Sequence, residues 1–314
     1  MNATQLAYVV FGIVLLVAVI FDLGLLSKSS RKMTMKKALY QTSFWIGLAM
    51  AFFVFLLYED SQKVAIEYIS AYLMEWSLSI DNIFVFILIF SFFNIHKEYY
   101  GRVLLLGILG AIFFRVIFIT IGIALVTSFS WILYIFGGFL VYTGIKMFFI
   151  EQHAEFDPAK NKVYVFLQKI LPITHEEAGP NFTKRIGGKK HFTMLFVVVV
   201  LLATTDIVFA LDSIPAVFAI STNKMVIYTS NIFAVLGLRS LFFLLRGAVS
   251  KFDYLQQGIA IVLVFIGVKM LIEYFNIHLP IYISLAVILV CLVGSIIFSL
   301  YHKKIKIPAD ERDI

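Results

Sequence analysis

The fold is decided by a long apolar stretch that carries two acids. Residues 192–220 read FTMLFVVVVLLATTDIVFALDSIPAVFAI, with Asp206 and Asp212 in the middle and Pro215 shortly after them. This run is longer than the roughly 20 residues that a helix needs to cross the hydrocarbon core of a bilayer. Because lipid offers no hydrogen-bond partner to an open strand, the stretch predicts a transmembrane helix.

The composition extends this interpretation to the whole chain. Of the 314 residues, 61% are apolar and 14% are charged, and the mean hydropathy is +0.95. Soluble domains are about 45–50% apolar and about 25% charged, so a soluble enzyme is excluded. Cys291 is the only cysteine, which excludes a scaffold of intrachain disulfides. The sequence therefore predicts an all-α polytopic membrane protein.

Apolar runs between polar breaks predict about nine spans. The first run has no basic segment before it and no small-residue cleavage site after it, which distinguishes it from a secretory signal. The predicted spans are 7–26, 38–58, 64–93, 103–126, 130–150, 192–220, 225–245, 254–274 and 280–301.

The positions of the 26 basic residues predict the orientation of the chain. Twenty of them fall in segments that the spans place on one side, whereas Lys63 and Lys224 fall on the other. The positive-inside rule then puts the N-terminus outside and the C-terminus in the cytoplasm. The net charge of +7 is thus a sign of topology, and we expect the lipid bilayer as partner and no nucleic acid.

An internal repeat links the third to fifth spans with the sixth to eighth. The order acid, acid, arginine, lysine occurs once in each set of three. Because the third and sixth spans run in opposite directions, the two copies must be inverted, which is a recurrent plan of secondary transporters. The matching positions are Glu75 and Asp206, Asp81 and Asp212, Arg115 and Arg239, and Lys146 and Lys269.

The repeat and the spans divide the chain into five segments. The central cytoplasmic loop contains prolines and the Gly187-Gly188 pair, which indicate turns, and a short amphipathic helix is predicted near 160–170. The segments are two N-terminal transmembrane helices in 1–63, the first three-helix repeat in 64–150, the loop in 151–191, the second repeat in 192–275, and the last transmembrane helix with a basic tail in 276–314.

Eight charged side chains are predicted inside the spans, and they mark a functional site. Each costs roughly 2.5–3.5 kcal/mol at a helix centre, so the set persists only if its members pair or line a polar cavity. Six residues of helix correspond to about 600° of rotation and about 9 Å of rise, so Glu75 and Asp81 lie about 120° apart around a straight helix. The acids therefore form two layers of a pathway, or the helix unwinds between them. Pro215 favours unwinding in the sixth span, because it cannot donate to the carbonyl of Leu211.

The residue types around these acids favour a hard divalent cation. Carboxylate, amide and hydroxyl oxygens suit Mg²⁺, Ca²⁺ or Mn²⁺ better than copper or zinc. Cys291 is in the last span, and all six histidines are in loops or at span ends. The alternative is that the four acids pair with the four bases and only hold the bundle together. We find no motif of an enzyme and expect no tightly bound cofactor.

The bases and the outer acids receive simpler interpretations. Arg115 and Arg239 are expected to balance charge or to be structural, since a guanidinium cannot coordinate a cation. Lys146 and Lys269 are expected to be structural or charge-balancing, with side chains that reach toward the membrane surface. Glu67, at an outer end, is expected to be solvated.

Two motifs in this chain resemble signatures of the TerC/Alx family of integral membrane proteins. The first is Glu75-Trp-Ser-Leu-Ser-Ile-Asp81-Asn82, and the second is TDIVFALDSIPAV over 205–217. The segment that follows the second, SNIFAVLGLRSL over 230–241, is also similar to the family. The resemblance covers nearly the whole chain.

This resemblance implies a bacterial inner-membrane protein of the tellurium-resistance TerC group, with a fold similar to LysE-type transporters. Members are linked to metal homeostasis, chiefly manganese export. Many members have a glutamate three residues before the first acid of the second motif, where this chain has Ala203. The candidate metal-site residues carried over by position are Glu75, Asp81, Asn82, Asp206, Asp212 and Ser213.

The sequence thus predicts a divalent cation transporter, with Mn²⁺ efflux from the cytoplasm as its function. Alternating access would rock one repeat against the other around a midplane site, and exchange for protons would supply the energy. Two alternatives stay open at this point. One is a Ca²⁺/H⁺ exchanger with the same fold, and the other is a membrane scaffold for a metal or tellurite stress response, in which the loop at 151–191 would carry the function.

Overall fold

The computed structural model describes ten stretches of the chain. These are 5–6, 8–17, 34–129, 131–149, 161–174, 176, 179–246, 254–275, 277 and 279–306. Within the helices, the description excludes the side chains of residues 80, 81, 84, 211, 212, 255, 281, 300 and 302–306. The predicted site residues Asp81 and Asp212 are therefore placed on their helices, and their side chains lie outside the described part.

The described residues form helices wherever spans were predicted. The polar segments between the apolar runs end these helices, as expected from the sequence. The helices are α1 (Tyr8–Val17), α2 (Met35–Glu59), α3 (Gln62–Phe92), α4 (Tyr100–Ser128), α5 (Ile132–Phe149), α6 (Lys162–Ile170), α7 (Met194–Ile220), α8 (Lys224–Leu236), α9 (Leu238–Leu245), α10 (Leu255–Ile272) and α11 (Ile281–Lys306).

The described residues include five helices that are long and apolar enough to cross a membrane, or up to seven if each bent pair counts as one span. One bent pair is α7, whose parts Met194–Ala210 and Ser213–Ile220 meet at 43°. The other pair is α8 and α9, which meet at 41° around Gly237 and replace the straight span predicted over 225–245. The number nine and the inverted repeats stay predictions.

Polar side chains cap the N-terminal ends of several helices. Thr34 accepts a hydrogen bond from the backbone N–H of Lys37 at the start of α2, and Ser61 accepts one from Val64 at the start of α3. Asn223 does the same for Met225 in α8. Such caps satisfy N–H groups that have no partner within the helix, so they fix where each span begins.

The bundle is built around α3, α7 and α8, which carry much of the buried surface. α3 packs against α7 and α8, and α4 packs against α7. α5 packs along α10 at very short range, because a Cβ on Gly267 would lie only 2.6 Å from the carbonyl oxygen of Gly137. Small residues at such contacts allow close approach of transmembrane helices.

Large apolar side chains cover the outside of the bundle. Phe113 on α4, Val208 on α7 and Val290 on α11 are all more than half exposed. A soluble protein rarely presents such surface over its whole circumference. Together with the apolar helices, this surface identifies the chain as an all-α, multi-pass membrane protein.

The loop predicted at 151–191 contains a small folded unit in its described part. The amphipathic helix expected near 160–170 is confirmed as α6. A sheet that the sequence analysis did not predict follows it, with strands β1 (Ile173–Thr174), β2 (Thr183–Ile186) and β3 (Lys189–Thr193) in the order β1-β3-β2. Gly187 and Gly188 form the two-residue turn of the β2–β3 hairpin with φ values of 57° and 79°, which favour glycine.

Candidate functional site

Four helices bring polar side chains together in the apolar bundle. Glu75 comes from α3, Arg115 from α4, Asp206 from α7 and Asn231 from α8. Glu75 is 0% exposed, and Arg115 and Asp206 are each 1% exposed, so none of these charges is solvated. Groups of this kind require partners inside the protein.

Arg115 is the residue that joins the two acids. Its Nε donates to Asp206 Oδ2 at 2.9 Å, and its Nη2 donates to Asp206 Oδ1 at 3.2 Å. Its Nη1 donates to Glu75 Oε1 and, at 3.1 Å, to Asn231 Oδ1. The planar guanidinium therefore holds Asp206 through two parallel hydrogen bonds and reaches both repeat motifs at once.

Among the described residues, several buried polar atoms of α3 and α7 have no hydrogen-bond partner. Glu75 Oε2 is one of them, although the other oxygen of the same carboxylate is paired. Unpaired buried oxygens are rare, because each costs about 1–3 kcal/mol, and a charged group costs more. The others close to the acids in sequence are the hydroxyl oxygens of Ser79, Thr205 and Ser213.

A cavity of about 270 Å³ adjoins the cluster. It is lined on one side by Glu75, Asn82, Arg115 and Ser213, and it extends to Lys146 and Gln256 at the ends of α5 and α10. Asp206 does not line this cavity. The unpaired oxygen of Glu75 thus belongs to a residue that lines the cavity, whereas Asp206 is bound to Arg115 outside the lining.

The bend in α7 lies at residues 211–212 and so includes the second acid of the motif, Asp212. Asp206 lies before the bend, and Ser213 and Pro215 lie after it. The proline has no N–H for the carbonyl of Leu211, so the helix loses one hydrogen bond at this place. α7 nevertheless stays helical through this region, so the unwinding that Pro215 favoured in the sequence is replaced by a bend of 43°.

The structure brings together four of the six predicted metal-site residues. Glu75, Asn82 and Ser213 line the cavity, and Asn82 Nδ2 donates to Asp206 Oδ1 at 3.4 Å. The described side chains contain no group of three or more His, Cys, Asp or Glu that could hold a metal. Because Asp81 and Asp212 lie outside that description, the full ligand set stays a prediction.

The predicted bases differ in their surroundings. Arg115 pairs with both Glu75 and Asp206, and Arg239 is also buried. Lys146 is exposed at the end of α5 and lines the cavity. Lys269 remains within the bundle, where its Nζ donates to Ser284 Oγ at 3.0 Å and to the carbonyl of Ala219 at 3.5 Å.

Two residues have a place that the sequence analysis missed. The sequence motif that contains Asn231 predicts no role for it, yet Asn231 is fully buried and accepts a hydrogen bond from Arg115. A lone amide in an apolar helix was the available signal. Glu67 was expected to be solvated, and this was wrong: it is 9% exposed and accepts a hydrogen bond of 2.5 Å from Ser221 Oγ.

Ala203 lies where α7 touches α4. A Cβ on Gly110 would be only 2.9 Å from the Cβ of Ala203, so the two backbones are close at this level. Ala203 is buried in this contact and does not line the cavity. A larger acid at this position would have to separate the two helices locally.

Comparison with known proteins gives a consistent match over most of the chain. The profile of a family described as "Integral membrane protein TerC family" matches residues 60–306. An uncharacterized membrane protein of Rickettsia felis is 40% identical over 298 residues, which cover 95% of this chain and 98% of the relative. One of Myxococcus xanthus is 41% identical over 283 residues, with 90% and 88% covered.

A further relative has a functional name. The "Putative membrane-bound redox modulator Alx" of Escherichia coli K12 is 39% identical over 300 residues, which cover 92% of each chain. No solved structure is significantly similar to this chain.

Proposed function

The chain belongs to the TerC family of integral membrane proteins, and from this premise we propose that it exports a divalent metal cation, Mn²⁺, from the cytoplasm. The protein would lie in the inner membrane with its N-terminus outside and its C-terminus in the cytoplasm. The observation that carries the proposal is the unpaired Oε2 of Glu75, buried in an apolar bundle on a residue that lines a cavity.

The charge of the site supports a cationic ligand. With both carboxylates ionised, Glu75, Asp206 and Arg115 together carry one net negative charge, and Lys146, which also lines the cavity, is exposed at the end of α5. In a region of low dielectric constant such a charge attracts a cation strongly. Glu75, Asn82 and Ser213 around the cavity offer carboxylate, amide and hydroxyl oxygens, which are the donors that Mn²⁺, Mg²⁺ and Ca²⁺ prefer. Asp81 and Asp212 would add carboxylates to this set.

The position of the cavity supports loading from the cytoplasm. Under the proposed orientation, the end of α5 with Lys146 and the start of α10 with Gln256 are cytoplasmic. Both residues line the cavity that contains Glu75. A cation from the cytoplasm would therefore reach Glu75 through this cavity. Protons could replace the cation on the carboxylates and couple its export to proton entry.

The name of the Alx relative points to redox modulation, and this chain offers little chemistry for it. Cys291 is the only thiol, so the chain cannot form an internal disulfide. Cys291 lies in α11 and does not line the cavity. We therefore place the function on the carboxylates.

The test is cation flux in proteoliposomes that hold the purified full-length protein. We expect uptake of Mn²⁺ that exceeds uptake of Ca²⁺ and Mg²⁺, with a matching signal from a pH-sensitive dye inside. Glu75→Gln should abolish the flux, and so should Asp81→Asn and Asp212→Asn. The matched control is Glu67→Gln, since it removes a charge from the same helix outside the cavity.

The results separate the alternatives. Flux that prefers Ca²⁺ would replace the manganese exporter with a Ca²⁺/H⁺ exchanger. Absence of flux for all three cations, from protein shown to be folded, would favour a scaffold. Normal Mn²⁺ flux in the Glu75→Gln protein would place the cation path elsewhere.

A further inference from the structure

The two carboxylates of the site differ in how many of their oxygens accept hydrogen bonds. Both oxygens of Asp206 accept hydrogen bonds from Arg115, and Oδ1 also accepts one from Asn82. Of the two oxygens of Glu75, only Oε1 is paired within the described part of the chain. Removing Asp206 from these donors would leave a buried guanidinium with fewer acceptors, which is costly in a region without water.

The cavity distinguishes the same two residues. Glu75 and Arg115 line it, and Asp206 does not. Ser213 and Thr205 repeat this difference, since the hydroxyls of both are buried and unpaired but only Ser213 lines the cavity. The amide nitrogen of Asn82 donates to Asp206 Oδ1, so the amide oxygen is the atom of this side chain that could coordinate a cation.

From this arrangement we infer that a divalent cation is held by Glu75, Asn82 and Ser213, and that Asp206 does not coordinate it but anchors Arg115. Asp206 is then a positioning residue. It keeps two guanidinium nitrogens away from Glu75 and so leaves Glu75 Oε2 available. This inference rests on the proposed function, because it assigns residues of the same site.

The consequence is that loss of Asp206 acts through Arg115. In Asp206→Asn, the arginine loses its bidentate acceptor and turns its remaining donors to Glu75, where it competes with the cation. Removing Arg115 as well ends this competition. The double variant Arg115→Gln with Asp206→Asn also keeps the net charge of the site, since one positive and one negative charge are removed together.

The experiment is an isothermal calorimetric titration of Mn²⁺ into the full-length protein in lipid nanodiscs. We expect Glu75→Gln to weaken the affinity about 100-fold or more and Asp206→Asn to weaken it about 10- to 100-fold. The double variant should return to within about fivefold of wild type, which is a difference of roughly one kcal/mol. A double variant that stays as weak as Asp206→Asn would show that Asp206 is a direct ligand and would overturn the inference.

A second pair of variants avoids the ion pair and is expected to fold normally. Ser213→Ala should weaken Mn²⁺ binding about tenfold, as for other supporting ligands, while Thr205→Ala should leave it unchanged within about twofold. Equal losses in both variants would place the cation on the Asp206 side and overturn the inference. Failure of the wild-type protein to bind any divalent cation would instead overturn the proposed function, and the inference with it.

Discussion

Arg115 holds Asp206 through two hydrogen bonds, from Nε at 2.9 Å and from Nη2 at 3.2 Å, although the two residues are 91 positions apart in the chain. One lies on α4 and the other on α7, in different predicted repeats. The contact therefore joins the two halves of the protein at the level of the candidate site. It also shows that Asp206 has both carboxylate oxygens bonded to Arg115, whereas Glu75 has one.

Loss of Arg115 alone should destabilise the fold. Arg115→Gln leaves the carboxylates of Asp206 and Glu75 buried without the guanidinium that pairs with them. Removing one partner of a buried ion pair costs about 3–5 kcal/mol. The free energy of unfolding in SDS and detergent mixtures measures this. The double variant Arg115→Gln with Asp206→Asn should recover part of the loss, because only Glu75 then stays charged without its arginine partner. Equal stability of the single variant and wild type would contradict the prediction.

Bound Mn²⁺ should stabilise the folded protein. A ligand that binds only the folded state at 100 times its Kd adds about 2.7 kcal/mol, so the midpoint of thermal unfolding should rise with Mn²⁺ concentration. Glu75→Gln should lose this dependence, and Glu67→Gln should keep it, because Glu67 does not line the cavity. Differential scanning fluorimetry gives the readout. A rise that persists in Glu75→Gln would mean that the stabilising cation binds elsewhere.

The close contact between α5 and α10 should not tolerate a methyl group. In Gly267→Ala the new Cβ would lie 2.6 Å from the carbonyl oxygen of Gly137, so the helices must separate, at a cost of about 1–3 kcal/mol. The matched control is Gly138→Ala, where a Cβ would meet nothing within 4 Å. Thermal unfolding of both variants decides the matter, and similar midpoints would contradict the predicted contact.

The Glu67–Ser221 hydrogen bond should stabilise the outer end of the bundle. Ser221 Oγ donates to Glu67 at 2.5 Å and accepts from the backbone N–H of Asn223 at 3.0 Å. Ser221→Ala removes both bonds and leaves a buried carboxylate oxygen unpaired, which costs about 1.5–3 kcal/mol. The neighbouring Thr222 is exposed, so Thr222→Ala should change the unfolding free energy little. A larger loss in the control would refute this interpretation.

The mouth of the cavity should react from the cytoplasm. With Cys291→Ser as background, Lys146→Cys should be labelled by a membrane-impermeant maleimide in inside-out vesicles only. Tyr274→Cys is the control for the opposite side, since Tyr274 is exposed beyond the other end of α10. Labelling of position 146 from the outside would reverse the orientation predicted from the basic residues.

Much of the fold could be predicted from the sequence because its causes are local. Apolar runs longer than a bilayer is thick must be helices, and each predicted span falls on a helix in its described part. The amphipathic pattern at 162–170 and the glycines of the β2–β3 turn act over a few residues, so α6 and the turn were visible in the chain. The strands beside that turn were missed, since they are only four and five residues long and β3 also pairs with β1 from outside the hairpin.

The candidate site was only partly predictable. Acids inside apolar helices are conspicuous, and Glu75, Asn82, Asp206 and Ser213 were identified in this way. The sequence did not predict which of these residues Arg115 would bind. That choice depends on the rotation and depth of α4 against α3 and α7, and no single helix contains this information. Burial of Glu67 and the contact of Asn231 with Arg115 were missed for the same reason.

The sequence by itself determined the membrane class, the places of the helices and the presence of charges between them, because these follow from hydrophobicity and helical geometry along one segment. Only the tertiary structure decided that Arg115 donates two hydrogen bonds to Asp206 and leaves one oxygen of Glu75 unpaired on a residue that lines a cavity. Pairing of buried charges depends on distances of a few ångströms between segments far apart in the chain, and packing of the whole bundle fixes those distances.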